Sequence, residues 1–202
     1  MARDLKLPAG LLAAGIGTLF TIDAASAQDV DVQAYFQKAQ QERGEGLAKK
    51  TKLVDVRAAK PGEVVVTIIK GQGKETQSAP AVAGDKVVRN RCAETGNEEI
   101  LVKAATFARR YEGPVAAANA SGWSTYRPRG NPMKFVVVTQ SDGSFTFKAP
   151  WGERMIARPG DVIVQDPNST RDTYRIAKAA FDCTYDVLRR PRGKSKTRAR
   201  RQ

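Results

Sequence analysis

The chain has 202 residues, 41% hydrophobic and 27% charged, with a net charge of +13 and no histidine. This is too apolar for a wholly disordered protein, and the absent imidazole removes the commonest general base and metal ligand. Two cysteines are too few for a structural zinc site, while the cationic excess points to acidic partners.

Arg3 and Lys6 precede an uncharged stretch over residues 7–22, and Ala25-Ser26-Ala27 offers the small side chains of a signal-peptidase site. Residues 1–27 therefore read as an export signal cut before Gln28, placing the protein in the periplasm or outside the cell. The apolar stretch falls short of the 20 or so residues of a spanning helix. Asp4 and Asp23 run against the pattern, and the alternative is an Ala-rich terminus on a cytoplasmic protein.

Residues 28–52 are expected to hold a helix and a linker. Val32, Tyr35, Phe36 and Ala39 fall at i, i+3, i+4 and i+7, which predicts a helix over Val32–Arg43 with one apolar stripe for docking. Gly44 and Gly46 break it, and residues 48–52 read as a basic, soluble connection.

From residue 53 the sequence repeats. Ala83-Gly84-Asp85-Lys86-Val87-Val88 leads through Val102 and Phe107 to Tyr111-Glu112; Pro159-Gly160-Asp161-Val162-Ile163-Val164 leads through Ile176 and Phe181 to Tyr185-Asp186. The shared order predicts a tandem duplication, with β units over 53–112 and 123–188 and a linker over 113–122. Pressed upstream, the match equates Val64-Val65-Val66-Thr67 with Val136-Val137-Val138-Thr139. Units of about 60 residues are marginal alone, so the two are expected to pack together.

Within the units, residues 64–69 predict a strand turning at Gly71-Gln72-Gly73. Residues 136–139 predict a hairpin through Ser141-Asp142-Gly143 to a return strand at Phe145-Thr146-Phe147. Residues 86–89 and 162–165 form strands launched from Gly-Asp turns, and residues 173–176 pair back on the second of these. Residues 103–110 and 177–184 predict short helices, whose Phe107 and Phe181 lie four residues before Tyr111 and Tyr185 and plug the end of a barrel-like or rolled sheet. The fold class is mainly β with minor α, ending in a disordered basic tail over 189–202.

The run from Pro159 to Val164, followed by Tyr174-Arg175-Ile176 and Phe181-Asp182-Cys183-Thr184-Tyr185-Asp186, resembles a short β domain of bacterial and phage proteins. That domain is marked by a Pro-Gly-Asp turn and a closing Phe-x-x-Thr-Tyr-Glu-like stretch. The likeness covers about 30 residues of the second unit; the first unit has Ala83 for the Pro and Arg110 for the Thr. It implies a compact fold and assigns no activity or site residue.

Arg189, Arg190, Arg192, Lys194, Lys196, Arg198, Arg200 and Arg201 form a terminal run without an acid. Such a run repels itself and attracts polyanions in a salt-dependent way: an anionic polymer, a lipid surface or nucleic acid. A plain solubility tail is the bland alternative. Trp123, Tyr126, Arg127 and Arg129 interleave aromatic and cationic groups as a stacking surface would, although the repeat also allows Trp123 and Tyr126 to be packing residues. Cys92 and Cys183 can form one bridge between the units in an oxidising compartment, or stay as small buried thiols. Neither has a histidine to act as its base. Asp85 and Asp161 are carboxylates suited to an acid–base pair, but a Gly-Asp pair is first a turn former. No cofactor and no metal site is expected, and no catalytic residue is assigned.

Overall fold

The computed structural model describes residues 30–192. The export signal expected over 1–27 lies outside the described residues, as do Lys194, Lys196, Arg198, Arg200 and Arg201.

A helix, α1 (Val32–Arg43), comes first and spans the residues its periodicity predicts. Asp31 caps it by accepting hydrogen bonds from the Gln33 and Ala34 amides, satisfying donors that the first turn leaves free. The strands and helices that follow are β1 (Gly46–Lys50), β2 (Val54–Ala58), β3 (Val66–Ile69), β4 (Gly73–Gln77), β5 (Lys86–Asn90), β6 (Glu99–Val102), α2 (Ala104–Arg110) and β7 (Tyr111–Ala116). The remainder comprises β8 (Ser124–Pro128), β9 (Met133–Val137), β10 (Phe145–Lys148), β11 (Arg154–Ala157), β12 (Val162–Asp166), β13 (Ser169–Ile176), α3 (Lys178–Thr184) and β14 (Tyr185–Arg189).

Two antiparallel five-stranded sheets form the body of this mainly β fold. Their orders are β6-β5-β2-β8-β7 and β13-β12-β9-β1-β14, and the hairpins β3-β4 and β10-β11 form a further two-stranded sheet each. Each large sheet ends in two free edges, so neither is the barrel-like closure expected from the sequence. The sheets correspond strand by strand, but their fourth strands enter differently: β8 follows its neighbour β7 directly, whereas β1 lies far in sequence from both β9 and β14. β1 pairs with β9 and β14 in the second sheet, and β8 pairs with β2 and β7 in the first.

That arrangement revises three local expectations. Residues 46–50, read as part of the linker after the helix, form an internal strand; Ala48 is fully buried between neighbours while Lys49 and Lys50 are only half-buried. Ser124–Pro128, counted with the second unit, hydrogen-bonds into the first sheet. The upstream match of residues 64–67 with 136–139 fails, because β9 occupies the place of β2: Ala59 and Val138 each donate an amide to the carbonyl of the following Gly-Asp aspartate, at 3.0 and 2.9 Å.

The hairpin expected at Ser141-Asp142-Gly143 is also absent. The Asp142 carboxylate accepts from the Thr139 amide and hydroxyl, both at 2.7 Å, winding Gln140–Asp142 into a short 3-10 turn. Tyr35 and Arg43 of α1 bond to the same carboxylate, so the turn becomes a pad for the helix. β10 then leaves β9 and pairs with β11. Phe145 and Phe147 do share a face, with ring centroids 6.2 Å apart. They join Val32, Phe36 and Ala39 of α1 and Val136, Val138 and Ile163 in one core. The first sheet has a separate core of Val54, Val56, Val88, Val102, Phe107 and Tyr111.

Candidate functional site

The two Gly-Asp turns share one backbone setting. Gly84 and Gly160 have φ of 91° and 95°, a left-handed conformation that glycine adopts without a Cβ penalty. Asp85 and Asp161 are both buried; each accepts from the amide three residues back, Val82 at 3.0 Å and Arg158 at 2.9 Å. The other oxygen of each accepts from the first amide of the short helix that follows, Ala104 or Lys178, at 3.1 Å. One carboxylate thus locks a turn to a helix start in each sheet. Burial opposes ionisation of Asp85, but hydrogen bonds from Lys103, Val82 and Ala104 outweigh it and hold its pKa below the usual value. The aspartates are committed to separate caps and share no hydrogen bond, which is a different use from an acid–base pair.

The helix ends match as well. Phe107 stacks on Tyr111 and Phe181 on Tyr185, both with centroids 5.1 Å apart, and Tyr111 and Tyr185 open β7 and β14 as the sequence spacing predicts.

Where the halves meet, polar groups are buried or half-buried. Arg175 of β13 is nearly inaccessible and donates to Asp161 at 2.9 and 2.8 Å, to Gln72 at 2.9 Å and to Glu75 of β4. Burial raises the Glu75 pKa more than the Arg175 charge lowers it. Arg110 of α2 reaches across to Tyr174 at 2.9 Å and to Asp172, while Lys50 of β1 donates to Asn90 at 2.6 Å. Ile69 of β3 inserts against Ala177 and Ala180. Apart from Arg175–Asp161, which lies within the second sheet's own unit, these contacts join the two halves, and none of those partners is legible in the sequence.

The face of the first sheet that bears Asp55 and Arg89 carries a shallow hollow of about 600 Å³ lined by Asp55, Arg89, Asn90, Arg91, Gly96, Asn97 and Glu99. Asp55 sits opposite Arg89 in the β2–β5 register and is held by Arg89 at 3.0 Å and Arg91 at 2.6 Å. Burial opposes its ionisation, yet the hydrogen bonds from Arg91 and Arg89 prevail and keep its pKa low. The Arg89 guanidinium lies 4.2 Å from the Trp123 ring centre, with Arg57 at 5.3 Å.

The four residues of the expected stacking surface do not converge. Trp123 joins this arginine face and packs against the small core of Ala59, Val65, Ala81 and Val87, whereas Tyr126 faces the opposite side and meets Phe107 edge-on at 5.1 Å in the core. Arg127 and Arg129 both pair with Glu112, at 3.5 and 3.8 Å. Tyr126 lies on β8 and Trp123 just before it, three residues apart, a spacing that on extended backbone sends the two rings to opposite faces.

Cys92 and Cys183 are joined as a disulfide, with Cα atoms 6.0 Å apart. The bridge ties the loop after β5 to α3, and Glu94 Oε2 lies 3.3 Å from both sulfurs. Arg189 is not part of a free tail: it is the last residue of β14, aligned with Leu47 and paired with Glu45 at 3.5 Å. The Arg192 backbone packs over Gly44, leaving Arg190 and Arg192 on the body of the fold.

Comparison with protein families, with curated proteins and with solved structures finds no match for this chain.

Proposed function

We propose that this protein is an exported, non-enzymatic binding or structural module of the bacterial envelope, built on a duplicated β unit and attached to polyanions through its terminal basic run. The observation that carries this reading is a contrast in charge compensation. Many arginines of the folded body are matched to carboxylates: Arg43 to Asp142, Arg57 to Glu63, Arg89 and Arg91 to Asp55, Arg110 to Asp172, Arg175 to Asp161. The run from Arg189 to Arg201 contains no acid at all. Long-range attraction for an anionic surface therefore falls on that run, and it weakens as salt rises.

Two observations support the rest of the reading. A covalent bridge between the halves suits an oxidising compartment, in keeping with the signal-like residues 1–27. The strand-by-strand likeness of the sheets, with their paired Gly-Asp caps and Phe–Tyr stacks, supports a duplicated unit related to the short bacterial and phage β domain.

The test compares the full chain with a variant in which Lys194, Lys196, Arg198, Arg200 and Arg201 become Gln. Those positions leave β14 and the Gly44 contact intact. Both proteins are presented to anionic vesicles, cell-wall polymer, RNA and DNA at low and high salt. The expected outcome is that substitution and salt abolish the same binding, and that fractionated cells hold a periplasmic form beginning at Gln28. Binding retained by the variant refutes attachment through the run. A cytoplasmic chain still carrying Met1 and bound to nucleic acid supports an intracellular accessory role instead.

A further inference from the structure

We infer that the bridge region is a redox-gated metal site, in which the thiolates of Cys92 and Cys183 and the carboxylate of Glu94 take one divalent cation once the disulfide is reduced. Their donor atoms lie within 4.8 Å of one another. Two thiolates and a carboxylate suit a borderline-soft ion such as zinc, with a fourth position left to water.

The distances are close to what such an ion needs. Tetrahedral zinc with ordinary Zn–S and Zn–O bonds separates sulfur from oxygen by about 3.5 Å and sulfur from sulfur by about 3.7 Å. Glu94 Oε2 already stands 3.3 Å from each sulfur. Cα atoms 6.0 Å apart allow the freed sulfurs to reach the second spacing by side-chain rotation.

The surroundings hold these donors independently of the bond. The Cys92 carbonyl accepts from the Asn97 amide at 2.8 Å, the Thr95 hydroxyl at 3.0 Å and the Thr95 amide at 3.2 Å, which fixes the Cys92–Glu94 segment. Thr95 is fully buried and bonded to Glu98, itself bonded to Asn90 at 2.6 Å. On the other side Cys183 rides on α3, anchored by buried Ala180 and Phe181. Two thiolates and one carboxylate leave a divalent complex with one negative charge, and the Lys52 ammonium lies 3.5 Å from the Cys183 sulfur to offset it.

The chemistry balances with a dithiol as reductant. Two electrons and two protons pass from the dithiol to the S–S bond, giving two cysteine thiols and the oxidised dithiol. The cation then displaces the two thiol protons. Bridge and metal are alternatives, and either one links the loop after β5 to α3.

The full chain, reduced with a phosphine and kept free of oxygen, is titrated with Co²⁺ and then Zn²⁺ while its circular dichroism is followed. The expected result is one equivalent of Co²⁺ with a thiolate charge-transfer band, bleached by Zn²⁺, and no band in the oxidised chain. Glu94→Gln should bind at least about 10-fold more weakly with its fold unchanged, by analogy with supporting groups at metal sites. Absence of the band in the reduced chain overturns the inference, as does equal affinity in Glu94→Gln or binding only by a chain that has lost its β spectrum.

Discussion

Arg175 shows what a single buried charge does here. Its guanidinium is neutralised by Asp161 and Glu75 from two sheets, so deleting it strands a buried carboxylate and a mostly buried one without their cation. Arg175→Met is expected to lower the unfolding free energy by about 3–5 kcal/mol, measured by urea denaturation. Adding Glu75→Gln should recover part of that loss; no recovery would mean that the two groups are not energetically coupled. Glu63 makes the opposite argument at the surface. Hydrogen bonds from Arg57 and the Lys60 amide lower its pKa from the usual 4.5 to about 2. A carboxyl depressed in the folded state stabilises it fully above 4.5 and loses that contribution as pH falls toward 2. The stability gap between the native chain and Glu63→Gln should therefore close over that window, and a gap constant with pH would refute the pairing.

At the scale of elements, β1 is the most exposed to a small change. Gly46 sits opposite Phe135 of β9, and an added Cβ there would fall inside the volume of the Phe135 ring. Gly46→Ala is expected to cost about 1–3 kcal/mol by overpacking, read as a lower denaturation midpoint. Gly62→Ala would meet no neighbour, so its cost comes only from the backbone at φ 83°. A Gly46→Ala chain as stable as the native one would mean that the ring is free to move aside. The helix α1 was legible because its stripe needs only local spacing. The strand β1 was not: GLAKK has one large apolar residue, and its burial comes from the neighbours β9 and β14 far along the chain.

For the whole molecule, β1 makes the second sheet depend on chain from the far side of the first, whose own strands lie on one continuous stretch from β2 to β8. The second sheet is incomplete without β1, and the contacts of Ile69 with Ala177 and Ala180, of Arg110 with Tyr174 and of Arg175 with Gln72 and Glu75 join the halves, so the two should unfold together. Trp123 reports the first sheet and Trp151, tilted against Tyr174 with ring centroids 5.8 Å apart, the second. Trp123→Phe and Trp151→Phe chains each keep one reporter, and both are expected to show the same melting midpoint once corrected for the substitution's effect on circular dichroism. Two separated transitions would refute the interdependence. Reduction closes no new strand but removes a link over 91 residues, worth about 4–5 kcal/mol in the chain-entropy account, and should lower that shared midpoint.

What the residues dictate without help is whatever depends on neighbours in sequence. The α1 stripe, the Gly-Asp turns, the strands launched from them and the Phe-to-Tyr spacing at each helix end all follow from backbone conformation and side-chain periodicity, and all stand in the structure. Tertiary packing alone decided which strands pair, that the sheets stay open, that Tyr126 and Trp123 part company and that Arg189 belongs to a strand. Those outcomes turn on hydrogen bonds and apolar contacts between residues tens of positions apart, and a strand's two faces are told apart only by what finally covers them.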